Sequence, residues 1–255
     1  MTITVTPSGE ACGATVSGVD LSKDLGEDLV ANIRTAWIEH GVLAFPDQSL
    51  SDDDLERFTG YFGDFGEDPF VQPIPGREHI IAIQRNADET SSIFAEAWHT
   101  DWSFQRNPPA GTCLYGITIP ESGGDTLFAN QYKALEEMPA ALRARIEGRH
   151  AIHSAAGGYA PDGLYGDADE GSGRSMRVKA SESARDSLLH PLIKVHPESG
   201  RESLFGCIGY IIGIEGMEQV AATDLLLELH QCQTREHFQY RHKWSIDMMV
   251  MWDNR

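Results

Sequence analysis

The 255-residue chain is 41% hydrophobic and 23% charged, which is enough apolar material for one sizeable core in a single domain. Its 39 acidic against 20 basic side chains give a formal net charge of −19. Such a surface repels phosphate backbones and anionic lipid, so neither nucleic acid nor membrane is expected as a partner.

In chain order, the first predicted helix covers 27–40, with Leu29, Ile33 and Trp37 on one face and Gly41 placed to end it. Residues 42–45 then read as a buried strand. A second helix starts at Ser51, where Ser51 and Asp54 have capping-box spacing and Asp52 and Asp53 suit the positive end of the helix dipole. That acidic run is therefore read as structural and not as a metal site. From 79 onward short extended segments dominate, at 79–84, 112–117, 126–129, 150–153, 191–195 and 203–205, separated by Pro- and Gly-rich turns. Helices are expected near 139–147 and 217–230. Residues 155–177 are rich in Gly, Asp and Ser, too polar for core and too long for a simple connector, and read either as a mobile candidate lid loop or, equally well, as an inert insertion. Alternation of Phe238, Tyr240, His242 and Trp244 with polar residues predicts a half-buried strand, and 248–252 an apolar one.

Cys12, Cys113, Cys207 and Cys232 form no C-x-x-C pair, which predicts reduced, mostly buried thiols and no disulfide framework or zinc knuckle. The N-terminal residues lack a basic segment followed by an apolar run, and no stretch approaches the roughly 20 apolar residues that span a bilayer. A soluble, unexported, cytoplasmic protein is expected. A second copy of the chain is kept open as a partner.

The segment that carries chemistry is Trp98-His99-Thr100-Asp101. On an extended backbone positions two apart point to the same side, so His99 and Asp101 can offer an imidazole nitrogen and a carboxylate oxygen to one metal. A second His from elsewhere would complete a facial triad, leaving open positions for a chelating cosubstrate and O₂. Structural zinc would instead be closed by four protein ligands. The tripeptide alone is also read as a hydrogen-bonded His–Asp pair.

Its surroundings carry more. Gly63-Asp64-Phe65-Gly66, Trp98-His99-Thr100-Asp101 with Phe104, Pro108-Pro109-Ala110-Gly111 and Gly123-Gly124-Asp125-Thr126-Leu127-Phe128 occur in order, followed by His190-Pro191-Leu192, His196-Pro197-Glu198-Ser199-Gly200 and Trp252-Asp253-Asn254-Arg255. This ordered set resembles the taurine dioxygenase family, which includes the phenoxyacetate-cleaving dioxygenases. The resemblance implies a mainly β fold, a double-stranded β-helix (jelly roll) with flanking α-helices. It further implies Fe(II) held by His99 and Asp101, 2-oxoglutarate as cosubstrate, and Thr126 helping to hold the distal carboxylate of 2-oxoglutarate. The implied reaction is hydroxylation of a small organic acid (carboxylate, sulfonate, sulfate ester or aryloxy acid) with release of succinate and CO₂. An Asp at position 101 favours hydroxylation, because related halogenases vacate that position for halide. Glu67-Asp68-Pro69-Phe70 stands where the family's taurine hydroxylases place a sulfonate-binding His, which argues against taurine itself.

The family's third ligand is a His four residues after the Arg of the Trp-Asp-Asn-Arg motif, with the Arg that pairs with 2-oxoglutarate further on. Both are expected beyond Arg255, the chain then lacking its C-terminal segment. A non-catalytic metal- or ligand-binding member of the same fold is the alternative if the chain ends there. His190, His196, His237 and His242 are read as structural. A cupin-like hydrolase or isomerase ranks last, since it needs a His-rich cluster that the sequence does not show.

Overall fold

The computed structural model describes residues 3–166 and 172–255. The first elements are strands β1 (Thr4–Pro7) and β2 (Ala14–Ser17), helix α1 (Glu27–His40), strand β3 (Val42–Phe45) and helix α2 (Asp52–Gly60). After a long irregular segment come β4 (Gly111–Gly116), β5 (Thr126–Ala129), α3 (Gln131–Glu136), α4 (Ala140–Ile146), β6 (His150–Ser154) and the single turn α5 (Ala156–Tyr159). The remainder holds β7 (Ser187–Pro191), β8 (Ile193–Val195), β9 (Glu202–Leu204), β10 (Ile211–Ile214), α6 (Gln219–Gln233), β11 (Gln239–His242) and β12 (Met248–Asp253).

The fold is strand-rich, and its largest sheet runs β1-β2-β3-β12-β4. The Val-Leu-Ala-Phe run of β3 is buried at every position, as a central strand covered on both faces must be. On one face Leu43, Phe45, Met249 and Met251 meet Ile33 and Trp37 of α1, Phe58 of α2 and Phe62. On the other, Val42, Ala44 and Val250 meet Phe128, Trp252 and Tyr240, bringing up the β5–β11 pair. Alternation along β12 thus sends Met249 and Met251 to the helices and Val250 and Trp252 to the opposite, inner face. A second cluster joins α3, α4 and α6 to the sheet β10-β6-β7.

Local signals explain much of this. Gly41, at φ 72, closes α1, and Ser51 with Asp54 forms the capping box of α2, so the acidic run does structural work. Four corrections follow from pairing. Residues 79–84 form no strand; they make only an isolated bridge, Pro73 to Ile81, because no further strand lies alongside. The expected strand 191–195 breaks at Leu192, whose backbone N–H reaches back to the Arg149 carbonyl, so β7 pairs with β6 and β8 with β9. The motif around His99, expected on an extended backbone, is irregular at 98–100 and a turn begins at Asp101. The candidate lid is partly core, since Ala155, Tyr159, Ala160 and Met176 are buried together with Phe70 and Val71; its residues 167–171 lie outside the described residues. Strands β1, β2 and β10 and helix α3 carried no periodicity long enough to be read. The four cysteines are free thiols, Cys207 and Cys232 buried and the other two half-buried. No described helix is long and apolar enough to cross a membrane.

Buried histidines give the fold an acid limit. Burial pushes His153 down to about 3 and His242 down to about 4, from an ordinary 6.5. Both are depressed, so the unfolded chain takes up the proton first. Their contribution to stability is intact above pH 6.5 and is lost progressively as pH falls toward 4 and 3. At pH 5 each should cost about 2 kcal/mol. Urea unfolding at pH 7.5 and 5.0 checks this. The acid loss should shrink by about one such increment in His153→Leu, and an unchanged loss would clear His153 of the effect.

Candidate metal centre

His99 Nε2 stands 3.0 Å from Asp101 Oδ1, and the two side chains are 27% and 17% exposed. Each is braced from behind. His99 Nδ1 lies 2.8 Å from the Ala97 carbonyl, which makes Nδ1 the protonated donor and directs Nε2 at Asp101. The other oxygen of Asp101, Oδ2, accepts from the Thr112 hydroxyl at 2.6 Å and from the Trp252 indole at 3.1 Å. Thr112 on β4 and Trp252 on β12 are direct cross-strand partners, so one face of the large sheet supplies both donors. The Asn254 amide donates to Thr112 Oγ1 at 3.0 Å, which commits the Thr112 hydroxyl hydrogen to Asp101.

Burial opposes the imidazolium of His99, but the Asp101 carboxylate outweighs it and holds the imidazole above its ordinary value. Burial likewise opposes the Asp101 carboxylate, yet His99, Thr112 and Trp252 together hold it below the usual carboxylate range.

The donor set fits a non-haem metal. Two donors at right angles, each about 2.1 Å from one ion, are about 3.0 Å apart, which is the separation found here. Nitrogen plus carboxylate oxygen is the start of the facial triad of Fe(II) oxygenases. Among the described residues no group of three His, Cys, Asp or Glu side chains gathers around a common point. The four histidines read as structural each have a protein partner: His190 Nε2 meets the Gln105 carbonyl, His196 Nε2 meets Asp253, His237 Nε2 meets Glu137, and His242 Nδ1 meets the Tyr240 hydroxyl.

An aromatic wall adjoins the pair. The Tyr210 ring meets His99 edge-on at 6.0 Å and Phe104 at 4.9 Å, and Phe70 stacks on Tyr159 at 4.8 Å. Asp68 pins the start of this wall: Oδ1 accepts from the Phe70 and Val71 amides and Oδ2 from the Trp102 indole, holding Trp102 at φ 49. Its oxygens are thereby taken up by the protein itself. Thr126 sits on β5, and its Oγ1 accepts from the Trp244 indole at 3.0 Å, leaving the hydroxyl hydrogen free to donate.

Residues 4–255 match the family described as "Taurine catabolism dioxygenase TauD, TfdA family". The chain belongs to that family. Among TauD/TfdA relatives, the alpha-ketoglutarate-dependent 2,4-dichlorophenoxyacetate dioxygenase of Cupriavidus pinatubonensis is 32% identical over 272 residues, covering 100% of this chain and 90% of the relative. An alkylsulfatase of Acinetobacter baylyi is 33% identical over 245 residues, covering 95% of this chain and 74% of the relative. Among solved structures, a taurine dioxygenase from Burkholderia xenovorans superposes with a TM-score of 0.78 at 30% identity, covering 100% of this chain and 81% of that one. The structure of AAD-2 in complex with Mn(II) and N-oxalylglycine gives 0.77 at 25% identity, covering 100% of this chain and 89% of that one.

The structure thus brings His99 and Asp101 together as the spacing predicts, although on an irregular segment and not a strand. Sequence reasoning missed Thr112, Trp252 and Asn254 as supports of Asp101. Trp252 and Asn254 were visible only as part of a motif. Thr112 had no signal of its own, because its role depends on the β4–β12 register.

Proposed function

We propose that this chain is an Fe(II)- and 2-oxoglutarate-dependent dioxygenase that hydroxylates a small organic acid, releasing succinate and CO₂. The braced His99–Asp101 pair carries this reading: two cis-spaced donors, each fixed by its own hydrogen bonds, beside an aromatic wall. Family membership and relatives named for aryloxy-acid, sulfate-ester and sulfonate substrates support the reaction class and the substrate range. The fold is read as a double-stranded β-helix, supported by the large sheet facing the β5–β11 pair across the site.

His99 through Nε2 and Asp101 through Oδ1 would hold the metal, which when bound supplies the O₂ chemistry. Ala97 fixes the His99 tautomer that presents a lone pair. Thr112 and Trp252 keep Asp101 charged and rotationally fixed. Tyr210 and Phe104 exclude water beside His99, and burial raises the Tyr210 phenol so that it stays neutral.

Thr126 is read as a donor to the distal carboxylate of 2-oxoglutarate, supported by the Trp244 bond that orients its hydroxyl. A hydrogen bond to a charged group contributes about 1.5–3 kcal/mol, so Thr126→Val should raise KM for 2-oxoglutarate by roughly 10- to 100-fold with kcat little changed. Steady-state kinetics in 2-oxoglutarate checks it; an unaltered KM would remove Thr126 from the cosubstrate site.

Residues 155–177 are read as a lid, a reading supported by the bonds that 165 and 174–175 make to 84–95. The Ala95 amide donates to the Tyr165 hydroxyl, Arg174 donates to the Ser92 carbonyl, and Glu89 accepts from the Ser175 amide and hydroxyl. Hydrogen bonds from Ser91 and then Ser175 pull Glu89 down to about 2, so this clasp stays charged at neutral pH.

A further inference from the structure

The chain between β9 and β10 passes directly behind the metal loop. Gly209 in this passage is exposed, a position where side chains are ordinarily tolerated. A Cβ there would nevertheless stand 2.8 Å from the Trp98 carbonyl oxygen and 3.1 Å from His99 Cβ. The nearer obstacle is backbone, so it cannot swing aside as the tip of a flexible side chain would.

The passage itself has little room to retreat. The Tyr210 amide donates to the Cys207 carbonyl at 3.1 Å, and the Tyr210 carbonyl accepts from the Ser154 amide of β6 at 2.9 Å. Gly206, at φ 87, lies so close to the His153 ring that a Cβ would be 2.5 Å from its Cε1. His153 in turn holds the far end of the metal loop, its Nδ1 3.1 Å from Ser103 Oγ. The Tyr210 ring rests edge-on against the His99 imidazole. The loop 98–103 is thus seated directly on 209–210 at its His99 end, where the closest approach is bare backbone, and through His153 on Gly206 at its Ser103 end.

We propose that Gly209 is a positioning residue for His99: its lack of a side chain lets Trp98 and His99 sit close enough for Nε2 to stand in cis range of Asp101 Oδ1. The inference rests on the reading of His99 as a metal ligand. Any side chain at 209 displaces the Trp98–His99 backbone and opens the 3.0 Å donor pair. Loss of an outer contact that orients a ligand weakens metal binding about 10- to 100-fold.

The test is calorimetric titration of the full chain with Mn(II) alone, for the parent, Gly209→Ala, Gly213→Ala and His99→Ala, together with the Tm of each metal-free protein. In Gly213→Ala the new Cβ meets Ile152 Cδ1 at 3.5 Å and Gln219 Oε1 at 3.8 Å, both ordinary contacts with side chains. Gly209→Ala should weaken Mn(II) binding at least about tenfold at a temperature well below its Tm, and should shift the visible spectrum of the Co(II)-loaded protein, while Gly213→Ala changes neither. Parent-like affinity and spectrum in Gly209→Ala would overturn the proposal. Parent-like affinity in His99→Ala would instead overturn the ligand reading beneath it, so the two failures are distinguishable. Should Gly209→Ala not fold, hydrogen exchange on the parent decides. Mn(II) should slow exchange across 206–210 along with 97–101, and protection confined to 97–101 would contradict the seat.

Discussion

Replacing Asp101 with Asn is expected to remove measurable turnover and to weaken Mn(II) binding by at least about a hundredfold. Structural metal sites of four ligands bind with roughly 10–16 kcal/mol, so one ligand contributes about 3 kcal/mol, which is more than two decades of affinity. Asn keeps the shape and can still accept from Thr112 and Trp252 through its carbonyl, so the loss reports the missing charge and not a cavity. His99→Ala should match it in binding, since it too removes one ligand. Calorimetric titration of both variants, with circular dichroism to show that each is folded, decides the matter. Affinity within threefold of the parent in either variant would place the metal elsewhere.

The next largest effect is expected from the support of Asp101. Thr112→Val is close to isosteric but takes away the 2.6 Å donor to Oδ2 and strands the Asn254 amide that donated to it. Metal affinity or activity should fall about 10- to 100-fold, as it does when the partners that orient ligands are removed. Trp252→Phe removes the second donor at 3.1 Å while keeping an aromatic ring against Phe128. The double variant should be worse than either single one, because Oδ2 then has no donor left from the sheet. If Thr112→Val titrated Mn(II) like the parent, the Asp101 geometry would owe nothing to β4.

What was legible in the sequence followed periodicity and spacing. Helix α1 and strand β3 were read at their observed limits because a Gly at a positive-φ stop and a four-residue apolar run are local signals. The capping box of α2 was likewise local. The closeness of His99 and Asp101 was legible from two-residue spacing and from the ordered motifs around it, though the backbone that brings them together differs. An irregular segment that turns at Asp101, pinned by the Ala97 carbonyl and by Thr112, replaces the assumed extended backbone. What was not legible depends on partners distant in sequence. Residues 79–84 have strand-like composition but find only a single bridge partner, Pro73 opposite Ile81. Leu192 breaks a run of apolar residues because β6 and β9 compete for the two halves. Thr112 serves Asp101 only because register sets it opposite Trp252. The polar look of 155–177 hid Tyr159 and Met176, whose burial needs Phe70 and Val71 from far upstream.

The most direct test of the proposed function is succinate formation from 2-oxoglutarate by the natural full-length protein, with and without Fe(II), across aryloxy acids, alkyl sulfates and sulfonates. The account predicts succinate only when Fe(II) is present, stimulated by at least one of these acids, suppressed by N-oxalylglycine and absent in Asp101→Asn. Succinate formed equally by Asp101→Asn, or none formed by Fe(II)-loaded parent with any of the three classes, would contradict it.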